Sequence, residues 1–474
     1  MKPELKFLSD VEIKLIYDSA IRILSEIGMI MPHPEVIKIM KDAGAEILDN
    51  NLVRISPKLV ESAMKTVPKR GDVVLYGQDR EHDVCFIDRL PTNVCMTMAV
   101  DVIDPWSNER RTATNEDLAR LTWLADQMPI ISINGGLVTP QDVPGAYNDW
   151  YTWATTLKYT KKHITGGMLG AKCVKDAVEM ASVAVGGIEN FRKRPCISGW
   201  VLTLPCLAFD FESIDAMIEM NKQNIPIILT SGPMVGATSP MSCAGTLSQT
   251  LAEILGAITL TQLVNPGAPV IFCSFVRSLD MRSAIACMGS PESGMMRSAM
   301  GQIGKWFDLP VRMPCLLRDS KVLDAQAGFE TGVTGVLGAI NSDQMDSMQL
   351  DSDLVVDYAD LVFTPDCVEG LQRIVKGINV SQEHLDDCFE TIKAVGPMGS
   401  FLDHPKTLKN CRKELWHPKV LNRQNYNVWK DSGAKDVRTV AIEKVRSLLN
   451  EMKGSHLSDE QCAQIDEIVE NAQK

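Results

Sequence analysis

Residues 225–275 read IPIILTSGPMVGATSPMSCAGTLSQTLAEILGAITLTQLVNPGAPVIFCSF. The apolar run 226–229 has the composition of a buried strand. A polar turn follows over 230–239, then a helical stretch over 240–263. Asn265, Pro266 and Gly267 stop the helix, and a second apolar run spans 269–275. A strand–helix–strand unit with apolar strands is the pattern of a parallel sheet covered by helices. Ser239 suits the N-cap and Pro240 the first helical position. The hydroxyl-rich turn is expected at the carboxyl ends of the strands, where function sits in parallel α/β folds.

The same alternation extends outward in both directions. Five further apolar strands are each preceded by a helical stretch: IISINGGL (130–137), HITGGML (163–169), CISGWVL (196–202), PVRMPCLL (310–317) and AINSDQM (339–345). Their spacing is that of βα units. Seven or eight such units predict an α/β fold, a (β/α)8 TIM barrel, over an open doubly wound sheet. No strand is followed by G-x-G-x-x-G and no P-loop occurs. Residues 1–115 read as an N-terminal appendage of helices and strands, 116–350 as the barrel core, and 351–474 as barrel closure and a C-terminal helical extension. In the appendage, Ser9 and Glu12 form a predicted capping box ahead of a helix that Gly28 ends.

The net charge of −12 disfavours nucleic acid or an anionic membrane as a partner. No apolar run of about 18 residues occurs and the N-terminus lacks a signal-peptide core, so a cytoplasmic protein without a membrane span is expected. Thirteen scattered cysteines without a C-x-x-C pair fit reduced thiols. No metal site is expected: His82 with Cys85, and His404 with Cys411 and His417, lack closed zinc spacing. No G-x-S-x-G elbow is present, which argues against a serine hydrolase.

The strand ends carry the chemistry: Asn134-Gly135-Gly136, Thr165-Gly166-Gly167, Trp200, Thr230-Ser231-Gly232, Phe275, Arg318-Asp319-Ser320-Lys321 and Asn341-Ser342-Asp343-Gln344. Paired glycines there leave open volume or make tight turns. Trp200, Phe275 and Trp306, with Tyr147, Trp150, Tyr151 and Trp153 in one loop, offer ring faces that stabilise a quaternary ammonium; ordinary core packing is the alternative. Gln249 and Glu253 share a helix face, where a solvated or inter-helix hydrogen-bonding role outweighs a catalytic one.

The run from Thr238 to Phe272, the segment DSKVLDAQAGFE (319–330), the stretch GSFLDHPKTLKNCRKELWHPKVLNR (399–423) and the N-terminal LSDVEIKLIYDSAIRILSEIGM and DVIDPWSNERRTAT together resemble the trimethylamine methyltransferase superfamily. The likeness covers most of the chain and is nearest to members that lack pyrrolysine. It implies a TIM barrel that moves a methyl group from a methylated amine to the cobalt of a separate small corrinoid protein. Founding members use pyrrolysine for a tertiary amine, and this chain has only standard residues. The resemblance therefore implies a quaternary amine, with proline betaine or carnitine favoured over glycine betaine or γ-butyrobetaine, because the seventh predicted strand carries Asn341–Gln344 where glycine-betaine relatives carry a histidine-bearing stretch.

On this reading Trp200, Phe275 and Trp306 are cage walls, Arg318 pairs with the substrate carboxylate, and Asn341 and Gln344 set specificity. Gly135, Gly166, Ser231 and Gly232 face the corrinoid. No general acid is assigned, no cofactor is bound permanently, and cob(I)alamin arrives on the partner, since no D-x-H-x-x-G corrinoid motif is present. A homo-oligomer is expected. A non-catalytic betaine-binding sensor barrel is the alternative, and a zinc-thiol methyltransferase a third reading.

Overall fold

The computed structural model describes residues 3–87 and 89–474. Eight parallel strands close a barrel in sequential order: β1 (Thr92–Cys95), β2 (Ile131–Gly135), β3 (His163–Gly167), β4 (Ile197–Leu202), β5 (Ile227–Ser231), β6 (Val270–Ser274), β7 (Val311–Met313) and β8 (Gln344–Asp346). Seven are the strands expected from the alternation. The eighth, β1, lies inside the 1–115 stretch read as an appendage, and it closes the barrel between β8 and β2. No helix immediately precedes it, so the helix-then-strand rhythm did not mark it. The apolar run 93–103 also merges it with Asp101–Ile103, which belongs to a separate sheet. Closure thus comes from β1 and not from residues 351–474, and every predicted strand number shifts by one. The predicted run 339–345 meets the eighth strand only at Gln344 and Met345, its first three residues ending the preceding helix, and the segment 319–330 follows the seventh strand.

The outer helices are α1 (Asn115–Asp126), α2 (Asn148–Tyr159), α3 (Gly170–Ala184), α4 (Phe211–Lys222), α5 (Cys243–Val264), α6 (Pro291–Trp306), α7 (Ala325–Asn341) and α8 (Asp360–Lys376). The N-cap of α5 is Ser242, which accepts from the Gly245 amide. Ser239 instead meets the Thr246 hydroxyl at 2.8 Å. α5 is apolar around most of its circumference because it is covered on both sides. One side lies on the barrel; the N-terminal helices Asp10–Arg22 and Pro57–Thr66 pack against it on the outside. Gly256 permits the close approach, since a Cβ there would meet Met29 Sδ at 2.4 Å. This helix is long and apolar enough to cross a bilayer, yet 89% of its most apolar window is buried within the protein. The Ser9–Glu12 capping box and the Gly28 stop are both present, with a π turn at Ile23–Ile27 between them.

Two features bracket the barrel. A short hairpin, Val74–Leu75 paired with Val84–Cys85, belongs to the cluster that fills the barrel, placing Val73, Leu75, Val84 and Phe86 against Val94, Ile133, Ile228 and Ile271. Beyond α8, helices Gln382–Val395, Pro405–Glu414 and Tyr426–Asp431 form an arm in which no helical residue is buried. Leu385, Phe389 and Ile392 lie along one face of the first of these helices and are all exposed.

Candidate active site at the barrel mouth

Alternation along each strand sends every second side chain into the barrel. Those side chains include a polar column that no apolar-run reading anticipates. Arg312 of β7 and Asp346 of β8 form a fully buried ion pair, with Nε and Nη2 of Arg312 donating to Asp346 at 2.8 and 2.7 Å. Arg312 Nη1 also reaches Thr165 Oγ1 at 3.2 Å. His163 of β3 sits between the Tyr76 carbonyl (2.8 Å) and the Ser198 hydroxyl (2.9 Å). Burial pushes its pKa down to about 4, so it is neutral at pH 7, donates from Nδ1 to the carbonyl and accepts from Ser198.

Above this column the barrel opens. Trp200 and Phe275 meet edge to face, with ring centroids 6.3 Å apart. Arg312 lies 4.8 Å from the Trp200 ring; Arg277 and Arg297 lie 5.7 and 5.6 Å from Phe275. The protein's own guanidiniums therefore already use these ring faces. Burial pushes Arg297 down to about 10, and its Nε and Nη1 donate to the carbonyls of Val276, Met288 and Pro314. Asp353, in the loop after β8, accepts from Thr97 Oγ1 at 2.6 Å. The protein packed around it pushes its pKa up to about 7, against the pull of that hydrogen bond. Trp200, Phe275, Arg277 and Asp353 are all partly exposed, so the mouth is open to solvent. Around it the loops after every barrel strand but β2 carry an exposed large apolar side chain, among them Met98, Leu169, Leu204, Met241, Val322 and Leu354.

The structure brings together only part of the predicted site. Trp200 and Phe275 are neighbours at the mouth. Trp306 is not: it ends α6, 43% exposed, packed on Tyr17 and Phe307. Barrel helices run against the strands, so a helix C-terminus lies at the face opposite the mouth. Asn341 ends α7 at that same far face and donates to the Leu5 carbonyl and the Ser298 hydroxyl. Gln344 points into the barrel from the first position of β8, beneath Asp346, with neither amide atom hydrogen-bonded. Arg318 is fully buried outside the barrel and paired with Asp360 of α8, so it is not available to a substrate carboxylate.

Of the small residues expected to face the corrinoid, Gly232 is at the mouth, beside Phe275 and Arg277. The others serve packing. A Cβ on Gly135 would meet the Thr165 carbonyl oxygen and Met96, and one on Gly166 would meet Trp153, in each case at under 3 Å. Ser231 turns outward to Glu253. Trp153 itself is buried in α2 and not in a loop, with Nε1 on the Gly167 carbonyl. Glu253 and Gln249 are buried and mutually hydrogen-bonded, not solvated. The residues that the sequence did not single out are Arg277, Arg297, Arg312, Asp346, Asp353 and His163. Arg312 within PVRMPCLL was the available signal: a charge in a buried strand needs a partner.

A closed parallel barrel with its charged and aromatic side chains gathered at the carboxyl-terminal mouth defines a TIM barrel whose working face is that mouth. The chain belongs to the trimethylamine methyltransferase (MTTB) family, whose model matches residues 1–474. It is 29% identical to the trimethylamine methyltransferase MttB of Desulfitobacterium hafniense (strain DSM 10664 / DCB-2) over 468 residues, 98% of this chain and 93% of that protein. It is 28% identical to a glycine betaine methyltransferase of Desulfitobacterium hafniense (strain Y51), covering 90% and 89%. Identity to the proline betaine:corrinoid methyltransferase of Eubacterium limosum is 26%, covering 89% and 88%. Among solved structures, the monomethylamine methyltransferase MtmB of Methanosarcina barkeri aligns over 93% of this chain and 92% of its own, at 13% identity and a TM-score of 0.47.

Proposed function

We propose that this protein moves a methyl group from a quaternary amine, with proline betaine or carnitine favoured, to the cobalt of a separate small corrinoid protein. The observation that carries this reading is the open mouth: a floor of aromatic and charged side chains within a ring of exposed apolar ones. Exposed apolar surface of this kind marks a protein-docking face, and a docked partner would shut water out of the space above Trp200 and Phe275. The corrinoid, borne by that partner, supplies the nucleophilic metal. The chain's own part is to hold the amine with one methyl turned outward and to exclude water. When the C–N bond breaks, its electron pair stays on nitrogen and the amine leaves neutral. No side chain has to donate a proton, in keeping with the buried, neutral His163 and with the absence of pyrrolysine.

The test is a panel of proline betaine, carnitine, glycine betaine, γ-butyrobetaine and trimethylamine with a reduced corrinoid protein. Methylation, read from corrinoid absorbance, is expected with one of the first two and not with trimethylamine. Tight betaine binding without methylation would favour a sensor barrel instead, and activity on trimethylamine alone would overturn the reading.

The exposed arm suits the expected homo-oligomer. Its helix Gln382–Val395 carries Glu383, Asp386, Asp387 and Glu390, and its helix Pro405–Glu414 carries Lys406, Lys409, Arg412 and Lys413. Lys406 and Asp387 already pair within the arm at 2.6 Å, and the remaining acidic and basic groups complement those of a second copy about a two-fold axis. A methyl-carrying partner must come and go, so it cannot keep this apolar face covered. Sedimentation is expected to give a dimer or larger for the full chain, and L385D/F389D is expected to give monomer. A monomeric wild type would remove this assignment.

A further inference from the structure

We propose that Arg277 and Asp353 read the substrate as a zwitterion: the Nε–Nη2 edge of Arg277 takes a carboxylate, and Asp353 faces the quaternary nitrogen. This rests on the quaternary-amine reading above and narrows it to amines that carry a carboxylate.

The buried guanidiniums in and around the barrel differ in what engages their edges. Arg312 gives Nε and Nη2 to Asp346. Arg297 gives Nε and Nη1 to backbone carbonyls and Nη2 to Met288 Sδ. Arg318 is engaged with Asp360 outside the barrel. Arg277 differs. Its Nη1 donates to the Gly232 and Phe275 carbonyls at 3.0 and 3.4 Å, which fixes the plane of the group. Its Nε is buried with no hydrogen-bond partner, and its Nη2 makes no hydrogen bond among the described residues. Nε and Nη2 lie on one edge, with the two-donor geometry that matches the two oxygens of a carboxylate. Gly232 makes room for this pose, since a Cβ there would come within 2.9 Å of Arg277 Nη1.

Asp353 supplies the opposite pole. One oxygen accepts from Thr97, and among the described residues no cation lies within ion-pair distance. Arg277, Arg297 and Asp346 act on it at longer range. The loops that carry Arg277 and Asp353 meet across the mouth, where the Ser352 hydroxyl donates to the Ala286 carbonyl at 3.2 Å. Ser347, Asp351, Ser352 and Asp353 all have positive φ, a costly run for residues other than glycine. Asp346 answers Arg312, and Asp319, which accepts from the Met288 amide at 2.7 Å, acts on Arg297, so Arg277 and Asp353 are left as one cation and one anion, which a zwitterion matches pole for pole.

Calorimetric binding of proline betaine, carnitine and their methyl esters tests the assignment without any corrinoid. For wild type, each acid is expected to bind about 10- to 100-fold tighter than its ester. Arg277→Met should erase that preference by weakening the acids alone. Gly232→Ala, which keeps every charge, should erode it in the same direction. Asp353→Asn should weaken acid and ester alike. Unchanged melting temperatures separate these effects from misfolding. If wild type binds the acids and Arg277→Met keeps the acid-over-ester preference, the assignment of Arg277 fails while the quaternary-amine reading stands. If wild type binds neither these acids nor glycine betaine nor γ-butyrobetaine, that reading fails as well.

Discussion

Asp346→Ala is expected to lower the stability of the fold by about 3–5 kcal/mol, because it strands a cation in the centre of the barrel. Among the described residues Arg312 has no other carboxylate within ion-pair range, and both members of the pair are at most 1% exposed. Its remaining hydrogen bonds, to Thr165 and the Met96 sulfur, are neutral and long at 3.2 and 3.6 Å. The Ser347 amide, which donates to Asp346 at 2.7 Å, loses its acceptor too. Removing both charges at once, as in Arg312→Met with Asp346→Leu, is expected to cost less than Asp346→Ala alone, since an apolar pair of similar volume needs no solvation. Urea denaturation of the three proteins measures this. A loss under about 1 kcal/mol for Asp346→Ala would mean that the barrel centre admits water to the orphaned guanidinium.

Glu253→Ala is expected to be nearly as damaging, about 4 kcal/mol, although Glu253 has no cationic partner among the described residues. It is fully buried in α5 and gathers four donors: Thr203 Oγ1 and Ser231 Oγ at 2.7 Å, and the Leu207 amide and Gln249 Nε2 at 3.0 Å. Each hydrogen bond is worth about 1 kcal/mol net, and more to a charged acceptor. Gln249 lies one turn away on α5, and the other three donors come from the ends of β4 and β5 and the loop between β4 and α4, so one carboxylate fastens two mouth loops to the outer helix. Glu253→Gln keeps one carbonyl acceptor and is expected to retain about half the stability. Hydrogen exchange should localise the damage to residues 203–209, with faster exchange there in Glu253→Ala than in distant strands. Uniform exchange across the barrel would show that the contact does not fix those loops.

These two networks show where the sequence was readable and where it was not. The 225–275 stretch declared its strands and its helix because both segments are apolar and bounded by turn residues. The same stretch declared Glu253 only as one face of a helix. Gln249 is one helical turn away, but the other three donors come from positions 203–231, and no local pattern brings them to Glu253. The missed β1 has a related cause: a barrel strand is marked by its partners, and β1 finds β8 about 250 residues away. Trp306 offers a ring face, and Arg318 and Asn341 stand close in sequence to strand ends, yet none of the three reaches the mouth. Proximity along the chain does not say at which end of a helix a residue emerges, and Arg318 has its buried partner on α8.

By itself the sequence determined the βα rhythm and the parallel barrel, since those rest on apolar period, which each segment carries locally, and the resemblance of its motifs gave the family. The tertiary structure alone decided that Arg312 is spent on Asp346 while Arg277 keeps one edge of its guanidinium unpaired. A side chain's availability is set by which charges lie within a few ångströms of it, and that distance is fixed only when the barrel closes.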